Sequence, residues 1–172
     1  PDKRGIEVGL LYSKEVNVKR TRSHSIRSKR PTRDILEVEI LLPGDEKLFF
    51  FVNHWPSQHN PTSERVKAAE LLKSLAISRG EEGHVIATGD FNTLDKEGPN
   101  PISDVLKDTL ADLHLHKYGK DCRKDCGPKG TYYYASRMQW NRLDRFLISH
   151  NLIDHSSRVQ VPKSSYQIHA PS

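Results

Sequence analysis

The stretch "HVIATGDFNT", residues 84–93, decides how this chain is read. Val85, Ile86 and Ala87 form a short apolar run of the kind buried in a sheet, and it stops abruptly at Thr88-Gly89-Asp90-Phe91-Asn92. Gly, Asp and Asn also build ordinary turns, so the stretch alone fits a plain strand end. Two other strand ends carry the same oddity. Phe49-Phe50-Phe51-Val52 ends on Asn53-His54-Trp55-Pro56-Ser57, and Asp144 stands at the mouth of Arg145-Phe146-Leu147-Ile148. In packed sheets such ends bring a His, two Asp and an Asn to one edge.

Around these runs the pattern is mixed. Residues 5–12 are β-rich and predict a first strand; 34–42 and 48–54, separated by the turn Pro43-Gly44-Asp45-Glu46, predict a hairpin. After Pro56 the period changes, because Val66, Ala69, Leu72, Leu75 and Ala76 recur at helical spacing. That predicts a helix over 62–78, with Ser63 as cap and Arg79-Gly80 as stop. Short helical pieces follow over 102–113, then strands over 131–134 and 143–149, with weaker ones over 158–161 and 166–169. Helices stand between hairpins and do not follow every strand, so the expectation is an α+β layered sandwich in one domain, residues 1–172.

Apolar residues make up 35% of the 172 and charged residues 28%, with a mean hydropathy of −0.70, and no run is long enough to span a bilayer. The net charge of +5 favours polyanionic partners. It is concentrated: Lys14, Lys19, Arg20, Arg22, Arg27, Lys29, Arg30 and Arg33 share one segment with only Glu15 and Asp34 as acids. Such a segment is either a phosphate-gripping arm or a solvated loop between strands. No aromatic side chain is interleaved to stack on bases, which argues for the loop. Pro1-Asp2-Lys3-Arg4 offers neither an initiator Met nor an apolar signal, so the expectation is a chain that begins within a longer precursor, and export and cytoplasm both stay open.

Hydrolysing a phosphate ester needs a cation to neutralise the phosphate, an oriented water and a proton for the leaving oxygen. An Asp orients or deprotonates the water, an Asn donates a hydrogen bond to a phosphate oxygen, and a His carries a proton near neutral pH. The clustered strand ends supply those types.

Four motifs in order, "RGIEVGLLY", "NHWPS", "GDFN" and "GTYYY…WNRLDRFLIS", resemble the endonuclease/exonuclease/phosphatase superfamily, which includes DNase I-like nucleases. The resemblance covers residues 4–149. It implies a DNase I-like four-layer α/β sandwich, two sheets flanked by helices, and a Mg2+-dependent phosphodiesterase, Mn2+ serving as well, with nucleic acid as the substrate. It places Asp90 on the attacking water or metal, Asn92 on the scissile phosphate, His54 in proton transfer or phosphate binding, and Asp144 behind a catalytic His. Arg4, before the first strand, is implied as a substrate contact, and a surface salt bridge fits it equally well.

The chain also departs from the family's pattern. The metal-binding Glu of the first strands and the Ser-Asp-His segment near the end have no counterpart in it, and Asp154-His155 follows the Asp144 strand too closely to replace the latter. The expectation is therefore a domain incomplete at both ends, itself inactive or nearly so. The same resemblance leaves room for a phosphoinositide, sphingolipid or other small phosphate ester as substrate, and the basic surface leaves room for a non-catalytic nucleic-acid-binding module.

Three further groups have simpler readings. Arg65, in the helix, is expected to pack and to pair with acids such as Asp34 or those near Glu64, not to act in catalysis. Tyr132, Tyr133 and Tyr134 read as alternating strand residues with one or two in the core. His114, His116, Cys122 and Cys126 are types that ligate zinc, but their spacing matches no zinc motif, and a small Cys122–Cys126 disulfide or two free thiols both fit.

Overall fold

The computed structural model describes residues 5–119 and 127–169. A mixed six-stranded sheet carries the molecule. Its strands are β1 (Val18–His24), β2 (Ile35–Leu41), β3 (Lys47–His54), β4 (His84–Asp90), β5 (Leu110–Asp112) and β8 (Asp144–Ser149), in the order β1-β2-β3-β4-β8-β5. All neighbours are antiparallel except β3 and β4, which are parallel because helix α1 (Thr62–Gly80) crosses between them. A second, two-stranded sheet is the hairpin of β6 (Tyr132–Tyr134) and β7 (Gln139–Asn141). The expected mixed α/β architecture is thus present.

Helix α1 lies on one sheet face. Ala68, Ala69, Leu72 and Ala76 pack with Ile35, Phe49, Phe51, Val85, Ala87 and Leu147, all at most 3% exposed. The small alanines let the helix backbone approach the large sheet phenylalanines, so the apolar spacing in the sequence locates the real seam. Ser63 caps nothing: Pro61 occupies the N-cap position, and Thr62 Oγ1 instead donates to Glu97 Oε1 at 2.8 Å. On the opposite face Ile148 packs with Leu113, Leu152 and Tyr166, next to the short helix α2 (Leu113–Tyr118).

The first strand is not where β-propensity placed it. Residues 5–12 form no strand among the described residues, and Leu11 is fully exposed. The edge position beside β2 belongs to β1, out of the basic segment. A buried ion cluster decides the contest: Glu37 of β2, 1% exposed, accepts from Arg22 Nη1 at 2.9 Å and Arg79 Nε at 2.9 Å, and meets His24 Nε2 at 2.6 Å. Burial works against the charge on Glu37, but Arg79 and His24 hold its carboxyl below the ordinary value. An apolar run without a partner strand gains less than this ladder does.

Other differences are smaller. Strands β5 and β7 are too short to show a period, and a π-helical turn (Pro101–Leu106) precedes β5. Residues 158–161 and 166–169 form no strands. Tyr132, Tyr133 and Tyr134 are all between 40% and 49% exposed, because the hairpin stands off the main sheet and buries neither face.

Candidate active site

Parallel β3 and β4 end together, and antiparallel β8 begins where they end. The ladder therefore sets His54 opposite Asp90 and Asp90 opposite Asp144 in one row across three strands. His54 Nε2 lies 3.8 Å from Asp90 Oδ2, and both side chains are about one-third exposed. Asp144 is exposed beside them and borders an open cavity of about 560 Å³ with Thr88, Thr131, Trp140 and Phe146.

The loop after Asp90 is rigidly built. Asp90 Oδ1 accepts from Asn92 N at 2.7 Å, and the Asp90 carbonyl accepts from Trp55 N at 2.9 Å. Asn92 is 8% exposed, in the left-handed region at φ 48°, and its Nδ2 donates to the Trp55 carbonyl at 2.9 Å. Asn suits that conformation through its own local hydrogen bonds. Phe91 is fully buried, edge-on to Trp55 at 4.8 Å. Gly89 has φ 124°, and a side chain there would fall on the Asn53 carbonyl. The polar end of the "HVIATGDFNT" strand is thus a fixed turn that presents Asp90 and ties Asn92 to the neighbouring "NHW" strand.

Burial, and then the neighbouring Asp144 carboxylate, push the Asp90 carboxyl above its ordinary value, against the Asn92 N–H and the charges of His54 and Arg33. In the sequence Arg33 is only one member of a basic run. In the fold it precedes β2 by two residues, at the end of the sheet where β3 and β4 finish, and its Nε is buried without a hydrogen-bond partner. Its influence on Asp90 depends on the hairpin topology, which no local pattern reveals.

Two more clusters support the row. Arg145 donates to Asp112 Oδ2 at 2.8 Å, Asp95 Oδ1 at 2.7 Å and the Thr93 carbonyl at 3.1 Å, while Arg142 donates to Asp112 Oδ1 at 3.0 Å and Asp95 Oδ1 at 2.9 Å. Burial opposes the charge of Asp95, yet the two arginines hold its carboxyl below the ordinary value. Arg65, 3% exposed, donates to the Ser57 carbonyl at 3.1 Å and pairs with Glu97, which ties the loop after His54 to the loop after Asn92. The packing role expected of Arg65 is what the structure shows, but its acid is Glu97, 32 residues on, and not Asp34 or an acid near Glu64.

The remaining predicted residues stand apart from the row or outside it. Arg4, Cys122 and Cys126 lie outside the described residues. His114 packs its ring 4.9 Å from Tyr118 and 5.8 Å from Tyr166. Asp154 and His155 follow the far end of β8, away from Asp90. Among the described residues, no three His, Cys, Asp or Glu side chains gather as a metal site.

The sequence profile of the endonuclease/exonuclease/phosphatase family matches residues 1–171. The chain belongs to this family. Its fold is similar to that of D. rerio TDP2 humanised by 14 mutations (TM-score 0.62, 22% identity, covering 78% of this chain and 52% of that one). The human Nocturnin catalytic domain with a bound sulfate is also similar (TM-score 0.59, 14% identity, 80% and 49%). So is D. rerio TDP2 complexed with a single-stranded DNA product (TM-score 0.62, 19% identity, 78% and 53%). The chain thus spans about half the length of these solved structures. No curated protein matches it.

Proposed function

We propose that this family member takes part in metal-dependent hydrolysis of phosphodiester bonds in nucleic acid, with His54, Asp90, Asn92 and Asp144 as its site residues. The observation that carries this reading is the single row His54–Asp90–Asp144 at the end of three adjacent strands, with Asn92 locked beside it. Asp90, in the middle of the row and partly open to solvent, is the group that orients the nucleophilic water and accepts its proton. His54, next in the row, holds or transfers the proton that must reach the leaving oxygen. One Asn92 N–H is committed to Trp55, and its second is the donor for a phosphate oxygen.

Adjacent carboxylates fit a hard divalent cation, and Mg2+ commonly uses one or two protein carboxylates. Asp90 and Asp144 would hold Mg2+ or Mn2+ in part, and the ion when bound supplies neutralisation of the phosphate charge. Asp144 otherwise acts on Asp90 through its own charge. The single-stranded DNA product in the D. rerio TDP2 complex and the basic segment of this chain both support nucleic acid over a lipid phosphate as substrate.

The test compares hydrolysis of plasmid DNA, RNA and a phosphomonoester with and without Mg2+, by this chain and by any longer form of the protein. In the longer form we expect Mg2+-dependent cleavage of nucleic acid that Asp90→Ala lowers by about 10²–10⁴-fold, and little or none from residues 1–172 alone. Equal rates with and without the substitution would remove Asp90 from the mechanism, and hydrolysis confined to the monoester would make this a phosphatase.

A further inference from the structure

The basic segment is a built surface and not a solvated loop. Its first part is strand β1, laddered from Val18 to His24 along β2. Its second part, the connection to β2, is pinned at two points. Ile26 is buried in the main core, and Glu64 of α1 accepts from Lys29 N at 3.1 Å while its carboxyl is held down at about 2 by Lys67, Ser28 and the Lys29 N–H. Lys19, Arg20, Arg27, Lys29 and Arg30 are nevertheless exposed, and none has an acidic partner among the described residues. Glu39 faces Arg20 in the ladder without forming an ion pair, and Glu37 is occupied by Arg22, His24 and Arg79.

The direction of this surface is fixed by topology. His24 pairs with Ile35 and Leu36 with Val52, so β1 runs toward the end of the sheet that carries His54 and Asp90, and the connection with Arg27, Lys29, Arg30 and Arg33 sits at that end. From Val18 to His24 the strand alone extends about 20 Å.

We propose that Lys19 and Arg20 at one end of β1 and Arg27, Lys29, Arg30 and Arg33 beyond its other end form a two-part cationic track that seats the sugar-phosphate backbone of a single nucleic-acid strand and leads it along the β1 edge toward Asp90. The proposal rests on the nucleic-acid reading given above and adds the surface and the polarity of approach. Charged residues on an edge strand also deter edge-to-edge pairing, and Lys19 and Arg20 alone would fit that purpose. The four cations of the connection lie beyond the end of β1, and Arg33 among them acts through its charge on Asp90. A lipid surface fits less well: between Lys19 and Arg33 the apolar side chains are Ile26, which is buried, and the small ring of Pro31, so no large apolar group is left to insert among acyl chains. With no aromatic in the track, it grips backbone and is indifferent to base sequence.

The experiment measures binding of a labelled oligothymidylate of about 16 nucleotides to the chain, with a chelator present so that no strand is cut, across a salt series. Variants are K19Q/R20Q, R27Q/K29Q/R30Q and, as a control near the opposite sheet edge, K107Q, with circular dichroism melting to show that each is folded. Each phosphate that is no longer neutralised by a side chain lowers the log–log salt slope by about 0.7 for single strands. The triple variant is therefore expected to lower the slope by about 2 and the affinity at least about tenfold at moderate salt, the double variant to lower the slope by about two-thirds as much, and K107Q to change neither. Binding by the parent that both variants keep intact would overturn the track while leaving the nucleic-acid reading standing. Binding to phosphatidylserine vesicles through these residues, with no oligonucleotide binding, would replace the strand by a membrane. Binding to neither would overturn the track and the nucleic-acid reading together.

Discussion

Two groups of charge flank the loop from Asp90 to Asp95, and they are built on opposite rules. On one side Arg142, Arg145 and Asp112 are each about 5% exposed or less, and all three, with Asp95, spend their charge on one another. On the other side His54, Asp90 and Asp144 are partly or wholly open to solvent, and Asp90 and Asp144 are like charges set side by side. The paired cluster satisfies the fold and has nothing left to offer a substrate. The exposed row keeps two carboxylates open to solvent, which is what a site for a cation and a phosphate requires. Burial and full mutual pairing therefore separate the scaffold from the row proposed as the site, although both sides share β8 and even adjacent residues, Asp144 and Arg145.

The comparison breaks first at Arg145. Replacing it by Met leaves Asp112 and Asp95 with one arginine between them and frees the Thr93 carbonyl, and removing one member of a buried ion cluster commonly costs about 3 kcal/mol or more. Urea unfolding should show a loss of that order. A loss below about 1 kcal/mol would mean that the cluster does not brace the loop.

At Asp90 the same logic predicts the opposite sign. Its folded-state carboxyl is raised above the ordinary value near 3.8, so the folded state prefers it protonated. The stability this provides is fully present below that ordinary value and is lost as pH rises through the raised one. At neutral pH Asp90→Asn should therefore raise Tm, by about 2 °C or more, while the gap to the parent closes at acid pH. Equal melting at every pH would show that the row carries no electrostatic strain.

How much of this the sequence discloses follows from what each feature depends on. The α1 seam, the β2–β3 hairpin and the three polar strand ends are local patterns, and the row His54–Asp90–Asp144 follows once those strands are adjacent. Strand β1 is different: Val18-Lys19-Arg20-Thr21-Arg22-Ser23-His24 reads as a polar connection, and only the buried Glu37 on the next strand makes it a ladder. The Gly5 to Tyr12 run is the reverse case, since its β-propensity does not make it a strand and Leu11 stands in water. Arg142 and Asp95 reach partners at least 30 residues away in sequence, and Arg33 acts on Asp90 from as far; no periodicity encodes such distances.

The smallest expected effect sharpens the boundary between the two charge groups. Thr131 Oγ1 accepts from Leu143 N at 3.1 Å and from Asp144 N at 3.0 Å, which fastens the root of the aromatic hairpin to the first residue of β8. Thr131→Val keeps the shape and removes the acceptor. Because Asp144 is exposed, water can take over its N–H, so the net cost should be only about 0.5–1 kcal/mol. The informative readout is local: amide exchange at Leu143 and Asp144 should accelerate while Phe146 and Leu147, inside the sheet, stay protected. That outcome would place the hairpin as a separately mobile wall of the site. Unchanged exchange would mean that the Thr131–Asn141 backbone bond, at 3.0 Å, holds the root without the hydroxyl, and that Asp144 is positioned by β8 alone.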